Sequence, residues 1–206
     1  MAQRVRNPEI TKKKILNAGE QCFAEKGFFG ARIDEISEVS GVNKRMIYAY
    51  FGNKEDLYIA VLDEVYTRMG KLEFDSINED GDCVEAIRGV IRSNFRFLYE
   101  NPNIVKIMMW ENLNEAKFAK NVSLSTIKRP VYDKIRKILK NGVERKVFRD
   151  GIDVESVVFD TIAFSFSYFS NRFTLAEIFE TDYYDETLLN ARIEHICDCI
   201  LGYLMR

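Results

Sequence analysis

The sequence predicts an all-α fold of about nine helices, and three observations carry that prediction. Apolar residues recur at three- and four-residue spacings along most of the chain, whereas strict alternation bounded by turn pairs is absent from the sequence. Only three prolines and eleven glycines interrupt 206 residues, so few positions forbid a helix. Helix-capping side chains, followed by proline or early acids, stand just before those periodic stretches.

Each element follows from such a signal. Asn7-Pro8-Glu9 opens the first helix and Gly27-Phe28 ends it. The second carries Ile33, Ile36 and Val39 at three-residue spacing. Gly41 can take the left-handed backbone that closes it, and Asn43 can accept from the free amides that open the third helix, which Val42, Ile47 and Phe51 dock. Asn53-Lys54-Glu55-Asp56 opens a fourth, spanning about residues 54 to 72, and Ile77 to Gly81 is the clearest loop. Asp82-Cys83-Val84-Glu85 opens the fifth helix and Asn101-Pro102 the sixth. A long seventh runs from about Ser123 to Lys146, with Pro130 either kinking or restarting it. Asp153 begins an eighth and Asp185 a ninth.

Composition bounds what such a chain can do. With 47% hydrophobic residues it can bury a full core, and its length has room for a small N-terminal domain, residues 1–53, and a larger one, residues 54–206. Arg4 to Lys14 is polar and the helix beyond carries Glu20 and Glu25, so no export signal is visible. The uncharged run between Asp160 and Arg172 is shorter than the roughly 20 residues a membrane span needs. A cytoplasmic protein with no membrane association is expected. Cys22 and Cys83 fall on apolar faces, and Cys197 and Cys199 point about 200° apart on a helix, so neither disulfide nor metal site is expected. His195 is the only histidine, and there is no glycine-rich phosphate loop and no metal-ligand spacing. The sequence is therefore not read as an enzyme, and no cofactor is called for.

The helix-turn-helix around Gly41 points to a polyanion. Lys44, Arg45, Met46, Tyr48 and Tyr50 face away from the docking residues, and a duplex major groove admits one such helix. Residues 1–54 hold ten Lys or Arg against six Asp or Glu, whereas the remainder carries twenty against twenty-six. A basic module gains from counterion release on DNA, and an acidic remainder discourages nonspecific sticking. Arg4 and Arg6 form either a minor-groove or phosphate-binding arm or a solvated charged tail, and Lys12, Lys13 and Lys14 read equally well as a solvated face.

Residues 10–57 resemble the DNA-binding domain of the tetracycline-repressor (TetR) family of transcriptional regulators. The resemblance runs in order through Ile15-Leu16, Ala18-Gly19, Cys22-Phe23, Gly27-Phe28, Ile33-Asp34-Glu35-Ile36, Gly41-Val42, Ile47-Tyr48, Tyr50-Phe51 and Lys54-Glu55-Asp56-Leu57. It implies double-stranded operator DNA as a partner and a phosphate contact from Lys54. Two departures matter. Ala31 and Arg32 stand where hydroxyl residues usually cap the second helix, so Gly30 is the expected cap and Arg32 reaches a phosphate. Arg45 and Met46 replace the common small and hydroxyl pair, which implies a different operator: Arg45 suits guanine and Met46 a thymine methyl. The expected DNA-binding set is thus Arg32, Asn43, Lys44, Arg45, Met46, Tyr48, Tyr50 and Lys54.

For the C-terminal domain the resemblance implies ligand binding and dimerisation. Phe95, Met109, Trp110, Tyr132, Phe164 and Tyr168 are the candidate lining of a small-molecule effector pocket, although aromatic and methionine stripes at helical spacing also describe plain core. Arg172 either pairs with an anionic ligand or caps preceding carbonyls. The last two long helices are apolar on more than one face, and the resemblance implies that they pair across a two-fold axis, with Ser165, Phe169, Ile193, Ile196, Ile200 and Leu204 as candidate interface residues. A two-fold homodimer reads a palindrome with recognition helices about 35 Å or more apart. In the expected mechanism, a ligand shifts the fourth helix between two tilts and lowers operator affinity by linkage. Alternatives are a DNA binder with no small-molecule effector, an activator, and a helical enzyme or carrier using the aromatic cavity; the last has least support.

Overall fold

The computed structural model describes residues 7–79 and 81–205. Arg4 and Arg6, and with them the expected N-terminal arm, lie outside the described residues, as does Asp80 of the expected loop. Among the described residues the fold is all-α, with ten helices and no strand; the only ladder-like pairing is a single antiparallel bridge between Phe148 and Met205.

The helices are α1 (Pro8–Gly30), α2 (Ile33–Ser40), α3 (Lys44–Phe51), α4 (Lys54–Ser76), α5 (Cys83–Glu100), α6 (Pro102–Leu113), α7 (Leu124–Glu144), α8 (Val154–Ser170), α9 (Arg172–Phe179) and α10 (Glu186–Leu204), with a 3-10 turn at Ala119–Asn121. The caps read from sequence do what the physics asks. Asn7 Oδ1 accepts from the Glu9 amide at 3.0 Å, Asp82 Oδ1 from Val84 and Glu85 at 2.9 Å each, and Asp185 Oδ1 from Leu188 at 2.9 Å. Asn53 and Asp56 exchange bonds: the Asp56 amide donates to Asn53 Oδ1 and Asn53 Nδ2 to Asp56 Oδ2.

Four expectations are corrected. Arg32, not Gly30, occupies the N-cap of α2, with its amide donating to Glu35 Oε2 at 3.3 Å. Val39 is 50% exposed, because α2 is only two turns long and needs just Ile33 and Ile36 to dock. α7 is continuous across Pro130, so the proline does not restart it; it lies on an exposed face. A tenth helix, α9, lies between the expected eighth and ninth. Its N-cap Asn171 makes no side-chain cap bond, so the sequence carries no start signal there.

Two compact units result: residues up to Thr67 together with Lys106–Leu124, and Arg68–Val105 together with residues from Ser125 onward. In the N-terminal unit, α1 lays Ile15, Cys22 and Phe23 into the core, and Phe23 meets Tyr58 of α4 edge-on at 4.7 Å between ring centroids. Phe118 packs against Phe28 at 4.3 Å with the rings tilted by 44°, and meets Tyr58 edge-on at 5.2 Å. Its loop is pinned by Glu111, whose Oε2 accepts from the Phe118 and Ala119 amides. Gly27 breaks the α1 backbone at φ 65 and ψ 177, a conformation open essentially to glycine alone, and a Cβ there would lie 2.8 Å from the Trp110 ring. Trp110 Nε1 donates to the Ala24 carbonyl at 3.3 Å.

The C-terminal unit is built on α5, α8 and α10. Leu189, Ile193, Ile196, Ile200 and Leu204 of α10 are all buried, as are Val157, Tyr168 and Phe169 of α8. Arg88 and Arg92 of α5 reach Glu194 and Asp198 of α10 at 2.9–3.0 Å, a row of ion pairs along the outside of that packing.

Candidate nucleic-acid interface and effector cavity

The turn that presents α3 is over-determined. Gly41 sits at φ 64 and ψ 19, its amide bonding back to the Glu38 carbonyl, and Ser37 Oγ donates to the Val42 carbonyl at 2.8 Å. Asn43 Oδ1 then accepts from the Arg45 amide at 2.7 Å, so this side chain is committed to the cap. Ile47 is 1% exposed and anchors α3, with Val42 and Phe51 half-buried beside it.

That anchoring leaves a graded outer face. Arg45 is exposed and forms no ion pair among the described residues; Tyr48 is 41% exposed; Met46 and Tyr50 are half-buried. Lys44 is exposed but held by Asp34 at 2.7 Å, which raises the pKa of its ammonium. Arg32 is exposed at the start of α2. Lys54 lies 4.7 Å over the Phe28 ring, and burial there lowers its pKa, with Glu35 opposing that shift. Lys26 and Glu35 pair at 2.8 Å, the hydrogen bond raising the lysine's pKa and lowering the carboxyl's. The eight expected residues therefore share one unit but not one role. Arg45 and Tyr48 are the least encumbered donors, Arg32 flanks them, Asn43 is spent on structure, and Lys44 and Lys54 are already engaged.

The expected pocket residues separate. Met109 and Trp110 belong to the N-terminal unit, where Trp110 closes over Gly27. Phe95 is fully buried and packs on Tyr168 and Phe169 at about 6 Å between centroids, so these rings are core. Phe164 is half-buried. Tyr132 alone of the six lines a small cavity of about 30 Å³ in the C-terminal unit, walled by α4, α5, α7 and α8. Val90, Val131, Ile135, Val158 and Ile162 make its apolar walls; Glu73, Ser93, Asn94, Lys128 and Thr161 supply polar groups. Ser165 Oγ donates to Asn94 Oδ1 at 3.1 Å. Burial first, and then the Glu73 charge, raises the Tyr132 hydroxyl's pKa.

Sequence reasoning missed the Glu73–Lys128 pair. Lys128 Nζ donates to Glu73 Oε2, and the two side chains are only 14% and 9% exposed. The signal was present: Glu73 continues the stripe Leu62, Val65, Met69, and Lys128 begins the stripe Val131, Ile135, Ile138, so both charges fall on buried faces. Nearby, Lys134 Nζ caps the end of α4, donating to the Phe74 and Ile77 carbonyls at 2.9 and 3.1 Å while lying over the Phe74 ring.

Arg172 caps no preceding carbonyl. It opens α9, is 8% exposed, and lies stacked 4.5 and 4.1 Å from the Phe173 and Tyr184 rings, where desolvation lowers its pKa. Ser165, Phe169, Ile193, Ile196, Ile200 and Leu204 are all buried within the single chain, because α8 and α10 pack on α5 through those faces. Cys199 and His195 are exposed on α10, Sγ to Nε2 being 3.7 Å. Among the described residues no helix is long and apolar enough to cross a membrane.

A capped helix-turn-helix presenting an exposed arginine and a tyrosine, followed by a helical unit with its own cavity, fits a DNA-binding transcriptional regulator. Residues 15–61 match the family described as bacterial regulatory proteins, tetR family, and residues 84–200 match the tetracyclin repressor-like C-terminal domain. The chain is 30% identical over 204 residues to the HTH-type transcriptional repressor NicS of Pseudomonas putida, covering 98% of this chain and 96% of that protein. Its fold is similar to the fatty acid degradation regulator FadR from Bacillus halodurans, with a TM-score of 0.71 at 20% identity over 92% of this chain and 97% of that one. It is also similar to FadR from Bacillus subtilis in complex with stearoyl-CoA, with a TM-score of 0.67 at 21% identity over 90% and 97%. The chain belongs to the TetR family of bacterial regulatory proteins.

Proposed function

We propose that this protein is a cytoplasmic, non-enzymatic repressor that binds a palindromic operator as a homodimer and leaves it when a small molecule occupies the C-terminal cavity. The observation that carries the DNA reading is the anchored face of α3, on which Arg45 and Tyr48 are exposed over a buried Ile47. Arg45 offers a planar fork for a guanine edge, Met46 an apolar contact to a thymine methyl, and Arg32, Lys44, Tyr50 and Lys54 the phosphate contacts that set register. Residues 1–53 carry this operator-binding role and residues 54–206 the ligand and dimer roles.

The dimer is supported by what the single chain leaves uncovered. Outward positions at helical spacing, Phe159, Ala163 and Phe166 on α8 and Leu188, Ala191, His195 and Cys199 on α10, oppose the buried stripes of the same helices. Phe159 is 69% exposed and Leu188 38%. An effector is supported by the C-terminal cavity and by the acyl-CoA held by a protein of similar fold. α4 contributes residues to both units, so a ligand that prefers one tilt of it shifts operator affinity by linkage.

Selection of fragments of the source genome on the purified protein tests the reading. An inverted repeat recovered with resistance to competitor DNA, bound by a 48 kDa species in analytical ultracentrifugation, about twice the 24.0 kDa chain, and released by a metabolite extract is the expected outcome. Recovery of no common sequence would end the operator reading, a protein that sediments only as a 24.0 kDa monomer the dimer, and DNA retention under every extract the effector.

A further inference from the structure

The cavity beside Tyr132 is too small to be an effector site as it stands: about 30 Å³ holds a water or two, whereas ligand pockets run from roughly 300 Å³ upward. A second, larger groove of about 280 Å³ lies between α7 and α8, and the two share Tyr132, Val158 and Ile162 in their linings. Those three side chains are therefore a partition, and none is fully buried. Moving the Tyr132 ring joins the small chamber that holds the Glu73–Lys128 pair to a larger groove, lined by the apolar Val154, Val158, Phe159 and Ile162 together with Arg136 and Glu155.

The charge of the inner chamber restricts what can enter. Its one acid and one base are bonded to each other, so the lining is neutral. An anionic head would take Lys128 and leave the Glu73 carboxylate buried and unpaired, and a cationic head would do the same to Lys128. An uncharged head with a donor beside an acceptor gives N–H to Glu73 and C=O to Lys128 and strands neither. The Asn94 amide adds a donor, since its Oδ1 is already taken by Ser165.

The geometry points to an amphiphilic effector with an uncharged donor–acceptor head of the carboxamide, lactam or urea class, which inserts between Glu73 and Lys128 while its apolar body lies in the α7–α8 groove. This rests on the effector reading above and adds the ligand's chemistry. It also adds a mechanism for release, because Glu73 lies on the last turns of α4 and Lys128 on α7, so the head that enters breaks a direct tie between them.

The test uses octanamide, octanoate and octylamine as matched probes on the full chain, with affinity read by calorimetry and Tm. Octanamide should bind at least about tenfold more tightly than either charged probe, and Val158→Trp, which fills the partition, should abolish that binding. The near-isosteric Glu73→Gln leaves Lys128 unpaired and should reverse the preference toward octanoate, while Lys128→Met should reverse it toward octylamine. Such reversals would not follow from a merely structural ion pair. Equal or stronger binding of a charged probe by the unsubstituted protein overturns the ligand class. Absence of any binding, with no octanoate affinity acquired by Glu73→Gln, overturns the site. A metabolite extract that frees the operator from Val158→Trp as readily as from the unsubstituted protein overturns this site and leaves the effector reading standing, whereas an extract that frees it from neither removes the effector reading itself.

Discussion

The two units place their polar groups in opposite ways. In the N-terminal unit the side chains proposed to meet DNA stand in water over an apolar base: Arg45 and Tyr48 are exposed, and the aromatic cluster of Phe23, Phe28, Tyr58 and Phe118 holds the scaffold. In the C-terminal unit the polar groups of the cavity are inside, where Glu73 is satisfied by Lys128 and Asn94 by Ser165. The lesson is that function and stability are separable in the first unit and coupled in the second, since a buried polar group without a partner costs far more than an exposed one.

The largest effect should come from the coupled side. Lys128→Met leaves Glu73 buried without its cation, and denaturant unfolding should show a loss of about 3–5 kcal/mol, whereas Glu73→Leu combined with Lys128→Met should restore most of it. Equal losses in the single and the double variant would break the contrast. Gly27→Ala comes next, because its backbone is one that only glycine takes readily and a new Cβ meets the Trp110 ring; about 2–4 kcal/mol is expected from strain and overpacking. That loss belongs to the scaffold of the first unit and not to its DNA face.

A pH titration sharpens the same point. Burial pushes the Tyr168 hydroxyl up to about 12 from an ordinary 10.0, so the folded state keeps a proton that the unfolded chain loses. Its contribution is complete below pH 10 and is lost as pH rises through about 12, worth roughly 2–3 kcal/mol, and Tyr168→Phe should flatten that part of the alkaline limb. Tyr58, Tyr66 and Tyr132 shift the same way through burial and keep a residual slope. An unchanged profile in the phenylalanine variant would show that Tyr168 is not buried as described.

On the DNA side the effects should fall on binding alone. Arg45→Ala should weaken operator affinity by about 1–3 kcal/mol while leaving the unfolding midpoint within error. Asp34→Asn should be smallest: it frees Lys44 from an exposed, solvent-screened pair, so the unfolding midpoint should hardly move while affinity for any duplex rises slightly.

The contrast also explains what was legible in the sequence. Caps and turn residues act over a few positions, so Asn7, Gly41, Asn43, Asp82, Asp153 and Asp185 could be placed from their neighbours, and the structure puts each at a helix boundary. The exposed face of α3 was readable because an arginine beside a capped turn needs no distant partner to stay in water. The cavity was not, since Glu73 and Lys128 are 55 residues apart, and although each falls on an apolar stripe, nothing local says which distant charge answers it. Long-range packing likewise decided the fate of the aromatic residues. Trp110 fills the space that Gly27 leaves, and Phe95 joins Tyr168 and Phe169 in core, which periodicity alone cannot distinguish from a pocket wall. The stripes of α8 and α10 show the same limit. A helix apolar on two faces announces two contacts without saying which is internal, and here Ser165, Phe169, Ile193, Ile196, Ile200 and Leu204 serve the chain's own core.

The most direct measurement of the central claim is equilibrium binding to fluorescent DNA from upstream of the protein's own gene, with excess unrelated duplex, across a salt series, for the unsubstituted protein and Arg45→Ala. The account predicts competitor-resistant binding with a steep salt dependence, a loss of preference over unrelated duplex in Arg45→Ala, and the same unfolding midpoint for both proteins. Preferential binding that survives in Arg45→Ala undiminished would contradict it, because the face of α3 would then not be what reads the DNA.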